Sequence, residues 1–168
     1  VTVRNEMPRW GGDARYAALV ERHGTSLLHL ATLLVGNHYD AEDVVQDALI
    51  AVAAKWPGPI SLSYIRRTVS NRAIDLVRVR RRFANVEVPE TPRADPGLFH
   101  LEEDQAFFAL VQSLPEGQRQ AIVLRYYAEF RDGEIAQELG VSVQTVRSQI
   151  HRGLAKLRVN QGVEVLNS

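Results

Sequence analysis

The chain contains no cysteine, one methionine and only two lysines, Lys55 and Lys156. Without cysteine there are no disulfides, thiolate nucleophiles or cysteine-held metals, which suits a reducing compartment. With so little lysine, nearly all the positive charge is arginine, whose planar fork fits phosphates and guanine edges. A GC-rich genome, which favours arginine codons, accounts for the same bias. No run approaches the roughly 18–20 apolar residues of a membrane span, so membrane insertion is not expected. The opening residues, VTVRNEMPRWGGDARY, have no secretory h-region, and a cytoplasmic location is expected.

Catalytic signatures are equally scarce. There is no phosphate-binding glycine loop, no HExxH and no nucleophile motif. His23, His29, His38, His100 and His151 have no paired metal spacing, and His23 and His29 read as helix-packing residues. Asp40, Glu42 and Asp43 lack the glycine and spacing of a calcium loop. No enzymatic activity, metal or cofactor is expected.

What is present is a chain of 168 residues, 45% hydrophobic, with 20 acids and 20 bases that balance overall but cluster locally. That length suits one domain or two small ones. The stretch ANVEVPETPRADPGLFH (84–100) holds Pro89, Pro92, Pro96 and Gly97 without helical periodicity, and reads as a flexible linker. On either side, apolar residues recur at helical spacing. The sequence predicts an all-α fold of two small helical domains, 15–83 and 101–158, with tails at 1–14 and 159–168.

The most informative segment is LGVSVQTVRSQIHRGLAKLR (139–158), which has no acid. Ser142 is a good helix N-cap. Val143, Val146, Ile150, Leu154 and Leu157 form an inward stripe, while Gln144, Ser148, His151 and Arg152 point away and Arg147 and Lys156 flank. Upstream, RDGEIAQELG reads as a shorter helix with Asp132 as N-cap and Ile135, Ala136 and Leu139 inward. Gly140 closes it, because glycine accepts the left-handed C-cap conformation. Helix, short turn, helix is the pattern whose second helix enters the DNA major groove. A plain helical hairpin with a solvated basic face would look the same.

Two further patterns lie in the first half. DAEDVVQDALIAVAAKW (40–56) places Ala41, Val44, Val45, Ala48 and Val52 inward. Its other face carries Asp43, Gln46, Asp47 and Ile50. Acids near the N-terminus suit the helix dipole, but Ile50 among carboxylates suggests a docking face for a basic protein surface. SYIRRTVSNRAIDLVRVRRR (63–82) has seven arginines against the single acid Asp75. Leu62, Ile65, Val69, Ala73 and Leu76 form its inner stripe. Arg67, Asn71, Ile74 and Arg78 face away with Tyr64 beside them, and suit backbone phosphates and an exposed base. A soluble, arginine-rich helix end accounts for part of this.

Taken together these segments resemble the extracytoplasmic-function class of bacterial RNA polymerase sigma factors. DAEDVVQDALIAVAAKW is similar to region 2.2 of that family, and YIRRTVSNRAIDLVRVRRR to regions 2.3–2.4. LPEGQRQAIVLRYYAEFRDGEIAQELGVSVQTVRSQIHRGLAKLR (114–158) resembles region 4. The resemblance implies promoter-specific initiation with core polymerase and promoter DNA as partners. It places Asp43, Gln46, Asp47 and Ile50 on the clamp helices of the largest subunit, and region 4 on the flap of the second-largest. Trp56, Tyr64, Arg67, Asn71 and Arg78 would serve the −10 element. Arg125, Gln144, Arg147, Ser148, Gln149, Arg152 and Lys156 would serve the −35 element. An anti-sigma protein is a further partner of many members. The chain departs from the family at Arg131 and Gly133, often Ser and Glu, and at Gln149 and His151, often Arg and aromatic. The other reading is a stand-alone helix-turn-helix repressor or activator binding a palindrome as a dimer.

Overall fold

Helix α1 (Ala14–Val35) buries Leu27, Leu30, Ala31, Leu33 and Leu34 along its second half. Gly36, at φ 88°, ends it, in a conformation that costs glycine no Cβ clash. Asn37 then caps α2 (His38–Ala53): its side-chain oxygen accepts from Asp40 N at 2.9 Å. The helix thus begins two residues before the expected Asp40 and ends at Ala53, before Trp56. Ser61 caps α3 (Leu62–Arg82) by accepting from Tyr64 N at 3.2 Å. These three helices pack on one another around Ala41, Val44, Val45, Ala48, Val52, Ile65, Val69 and Ala73, all buried as expected. Tyr16 tethers α1 to α2 by donating to Leu49 O at 2.6 Å.

The second unit comprises α4 (Glu102–Ser113), α5 (Glu116–Tyr126), α6 (Asp132–Leu139) and α7 (Val143–Leu166). Its core holds Val111, Ala121, Val123, Leu124, Ile135 and Val146. The structure, a computed structural model, describes residues 14–55, 60–84 and 102–166, and the side chains of 102–104 and 161–166 are not discussed. Every regular element among the described residues is an α-helix, so the all-α expectation holds. The expected linker lies almost wholly outside the described residues, and Trp56 and the segment 57–59 do as well.

The geometry corrects four details. The N-cap of α6 is Arg131, not Asp132. Arg131 has no side-chain oxygen to accept from the first-turn N–H groups, so only the return half of a capping box forms, with Glu134 accepting from Arg131 N at 2.8 Å. Val143 is 36% exposed rather than inward, because it sits in the first turn of α7, before the helix meets α5. Helix α7 continues through Leu166, well past the expected end at Arg158. Ile74, expected to face outward, is buried at 1% exposure, because it joins the buried apolar cluster that runs through both units.

The units touch. Gln112 of α4 donates to Leu33 O of α1 at 3.0 Å. Arg119 of α5 reaches Gln112 at the edge of hydrogen-bonding distance. Burial lowers the Arg119 pKa below its ordinary value.

Candidate nucleic-acid interface

The turn between α6 and α7 is built as the sequence indicated. Gly140 is left-handed at φ 66°, and Val141 N returns to Ala136 O at 3.0 Å. Ser142 Oγ accepts from Thr145 N at 3.1 Å, so one donor at the α7 N-terminus is satisfied and the helix starts abruptly. On the far side of α7, Gln144, Arg147, His151, Arg152 and Lys156 are exposed, while Ser148 and Gln149 are half-buried. Ser142, Gln144, Thr145, Ser148, Gln149 and Arg152 line one shallow groove. Gln149 is less free than its spacing suggested, because its carboxamide lies over Gly117 of α5.

Two more contacts set the pose of α7. Gly153 is buried, and a Cβ there would overlap the Ile122 side chain, so glycine is what lets α7 approach α5 closely. Asp132 pairs with both Arg125 and, at 3.2 Å, Arg147. The Arg147 side chain nevertheless stays 71% exposed. One carboxylate thus gathers two of the expected DNA-facing arginines, and the sequence reading had assigned it only to a cap.

On α2, Asp43, Gln46, Asp47 and Ile50 are all exposed, Ile50 to 49%. A shallow groove between α2 and α3 joins Asp40, Asp43 and Asp47 to Asp75, with Arg72 among them. Asp40 also bonds the Asn37 side chain and Arg80. Burial works to raise its pKa, but the hydrogen bonds from Arg80 and Asn37 and the Arg80 charge outweigh it, leaving Asp40 below its ordinary value.

The outer face of α3 is not a free basic surface. Tyr64 accepts from Lys55 Nζ at 2.9 Å. Arg66 pairs with Glu129 at 2.8 Å and Arg67 with Glu134 at 2.5 Å. Arg67 also lies 5.4 Å over the Phe130 ring. The Asn71 carboxamide, oriented to satisfy both its atoms, donates to Arg67 O at 2.9 Å and to Glu138 Oε2 at 2.8 Å. Arg78 donates to the Glu138 carbonyl. Burial raises the Glu138 pKa, opposed by Arg78 and Arg67 and reinforced by Asp75. Sequence reasoning missed Glu129, Glu134 and Glu138, since nothing local marks residues that pair across 60 or more positions.

A capped helix-turn-helix with one basic side, joined to a separate three-helix unit with an acidic face, defines a DNA-binding protein with a second docking surface. Family models agree with that division: "Sigma-70 region 2" matches residues 19–83 and "Sigma-70, region 4" residues 104–157. The chain is 35% identical to the ECF RNA polymerase sigma factor SigE of Mycolicibacterium smegmatis, over 90% of this chain and 61% of that one. It is 33% identical to the RNA polymerase sigma-E factor of Streptomyces avermitilis, over 88% of this chain and 86% of that one. Among solved structures, CnrH in complex with the cytosolic domain of CnrY aligns with a TM-score of 0.59 at 26% identity, covering 92% of both chains. The sigma factor RpoE of Bartonella quintana, solved with the anti-sigma factor NepR, aligns with a TM-score of 0.67 at 23% identity, covering 89% of this chain and 98% of that one, and shares the fold. The chain belongs to the extracytoplasmic-function sigma factors of the sigma-70 family. It is a promoter-directing sigma factor rather than a stand-alone repressor.

Proposed function

We propose that the two units divide promoter recognition between them, with the acidic face of α2 carrying attachment to polymerase. Asp43, Gln46, Asp47 and Ile50 dock on the clamp helices of the largest subunit. The 15–83 unit uses Tyr64, Arg67, Asn71 and Arg78, together with Trp56, to hold the −10 strand and a base exposed from it. The 101–158 unit reads the −35 duplex through Gln144, Arg147, Ser148, Gln149 and Arg152, with Arg125 and Lys156 on phosphates, and meets the flap of the second-largest subunit. The 84–100 segment connects them toward the RNA exit channel. The protein acts in the cytoplasm, without catalysis of its own. An anti-sigma protein, as NepR is for the Bartonella quintana RpoE, is a further partner, and exposed Ile50 among carboxylates suits it.

The observation that carries this reading is the pair of oppositely charged exposed faces on separate units, Asp43 and Asp47 on α2 against Arg147 and Arg152 on α7. Like charges in close contact across an interface cost several kcal/mol. Asp43→Arg/Asp47→Arg is therefore expected to lose core polymerase in a pull-down. Arg147→Ala/Arg152→Ala should keep polymerase and lose the promoter in run-off transcription. Promoter binding that stays tight without polymerase and ignores the acidic-face reversal would contradict the proposal.

A further inference from the structure

Asp132 stands between the two arginines that the −35 reading gives different tasks. It is the first residue of α6, where the helix dipole favours a carboxylate. One of its oxygens holds Arg125, from the last turn of α5. The other accepts from Arg147 Nε at 3.2 Å, from the second turn of α7. Three helices of the unit therefore meet at one carboxylate. For stability the arrangement is minor, because the Arg125 and Arg147 side chains are 42% and 71% exposed and exposed ion pairs are worth little.

Its consequence is directional. Arg147 lies in the N-terminal part of α7, where the second helix of a helix-turn-helix meets base edges. A bond through Nε orients the plane of its guanidinium, and among the described residues its two terminal amino groups have no other partner. A pair of such donors matches O6 and N7 of a guanine. The carboxylate also repels phosphate, the acceptor that competes with a base for any arginine at a duplex. Discrimination is built from such repulsion as well as from attraction.

We infer that Asp132 is a positioning residue for −35 recognition, aiming Arg147 at a guanine edge and keeping both arginines from binding the backbone indiscriminately. The inference rests on the reading of α7 as the −35 reader. Asp132 touches no base and acts through Arg147. It lowers affinity for every duplex while sharpening preference at one position.

Holoenzyme assembled from core polymerase and the full chain, transcribing a promoter pool randomised across the −35 element, reports the preference at each position. Arg147→Ala marks the position that Arg147 reads, as the one whose guanine preference falls. Asp132→Asn, close in shape but uncharged, is expected to lower that same preference on the order of tenfold, the worth of one bidentate arginine–guanine pair. The other −35 positions and the −10 preference should stay as they are. Asp132→Ser, which removes the charge without adding an amide donor, should act alike, and Asp132→Glu should retain most of the preference. In the Arg147→Ala background, Asp132→Asn should change no preference further. On a mixed-sequence duplex, the full chain carrying Asp132→Asn should bind more tightly, with a salt dependence steeper by about one to two in the log–log slope, as two released arginines on phosphates would give. A loss spread evenly over all positions in all three Asp132 variants would mark a structural role and overturn the positioning. Unchanged mixed-sequence affinity and salt slope would overturn the restraint on the backbone contacts. A guanine preference that falls with Arg147→Ala but not with Asp132→Asn or Asp132→Ser overturns the positioning alone. If Arg147→Ala shifts no −35 preference, the reading of Arg147 as a base contact falls, and the inference with it.

Discussion

Gly153 is the position at which the pose of the reading helix is most exposed to a single atom. Replacing it with alanine has two opposed effects. In a helix interior, alanine is favoured over glycine by about 0.8–1.0 kcal/mol. Against this, the new Cβ would overlap the end of the Ile122 side chain and touch Gln118 Cβ at 3.4 Å. Ile122 is only 3% exposed and has little room to turn aside, so overpacking of about 1–3 kcal/mol is expected. Overpacking wins, and Gly153→Ala should destabilise the chain by about 1 kcal/mol in urea denaturation followed by circular dichroism. The cause is separable. Ile122→Val removes the overlapping methyl and alone costs about 0.5–1.5 kcal/mol. In the Ile122→Val background, Gly153→Ala should become stabilising by roughly the helix-propensity gain, giving a coupling of about 1–3 kcal/mol between touching residues. A Gly153→Ala variant that gains stability in the wild-type background, or a cycle with no coupling, would refute the close-approach argument.

Two predictions concern other parts of the molecule. Arg152→Ala should weaken −35 binding by about 1–3 kcal/mol and relax sequence preference, whereas Lys156→Ala should weaken all sequences evenly and flatten the salt dependence; competition gel shifts with variant promoters at several salt concentrations distinguish the two. Asp40 is held below its ordinary pKa, so its ionised form favours the folded chain above the unfolded value of about 3.9. That contribution is lost as pH falls through the lower folded value. Asp40→Asn should therefore reduce the urea midpoint at pH 7 and have progressively less effect below about pH 4, with equal penalties at both pH values counting against the Arg80 pairing.

The first unit shows how far periodicity reaches. Every residue assigned inward on α2 is buried, and Asp43, Gln46, Asp47 and Ile50 are exposed, because a helix commits each side chain to one direction around its axis. The α6–α7 turn was legible for a related reason. Ser142 and Gly140 act within three or four residues of themselves, where chemistry and backbone conformation are local. Arg131 marks the edge of that legibility: it has no capping oxygen of its own, and its N–H is held by the carboxylate three residues on.

What the sequence alone determined, then, was the helical character of both units, the inner faces of α2 and α6 and most of those of α3 and α7, and the order of the two units. Burial of Ile74 was beyond its reach. Periodicity shows which residues share the outer face of α3, but not whether that face meets water, DNA or another part of the chain. Only the tertiary structure decided that, by bringing Glu129, Glu134, Glu138 and Phe130 onto arginines more than fifty residues away. Pairing across such distances depends on how two prefolded units meet in space, and no local spacing encodes it.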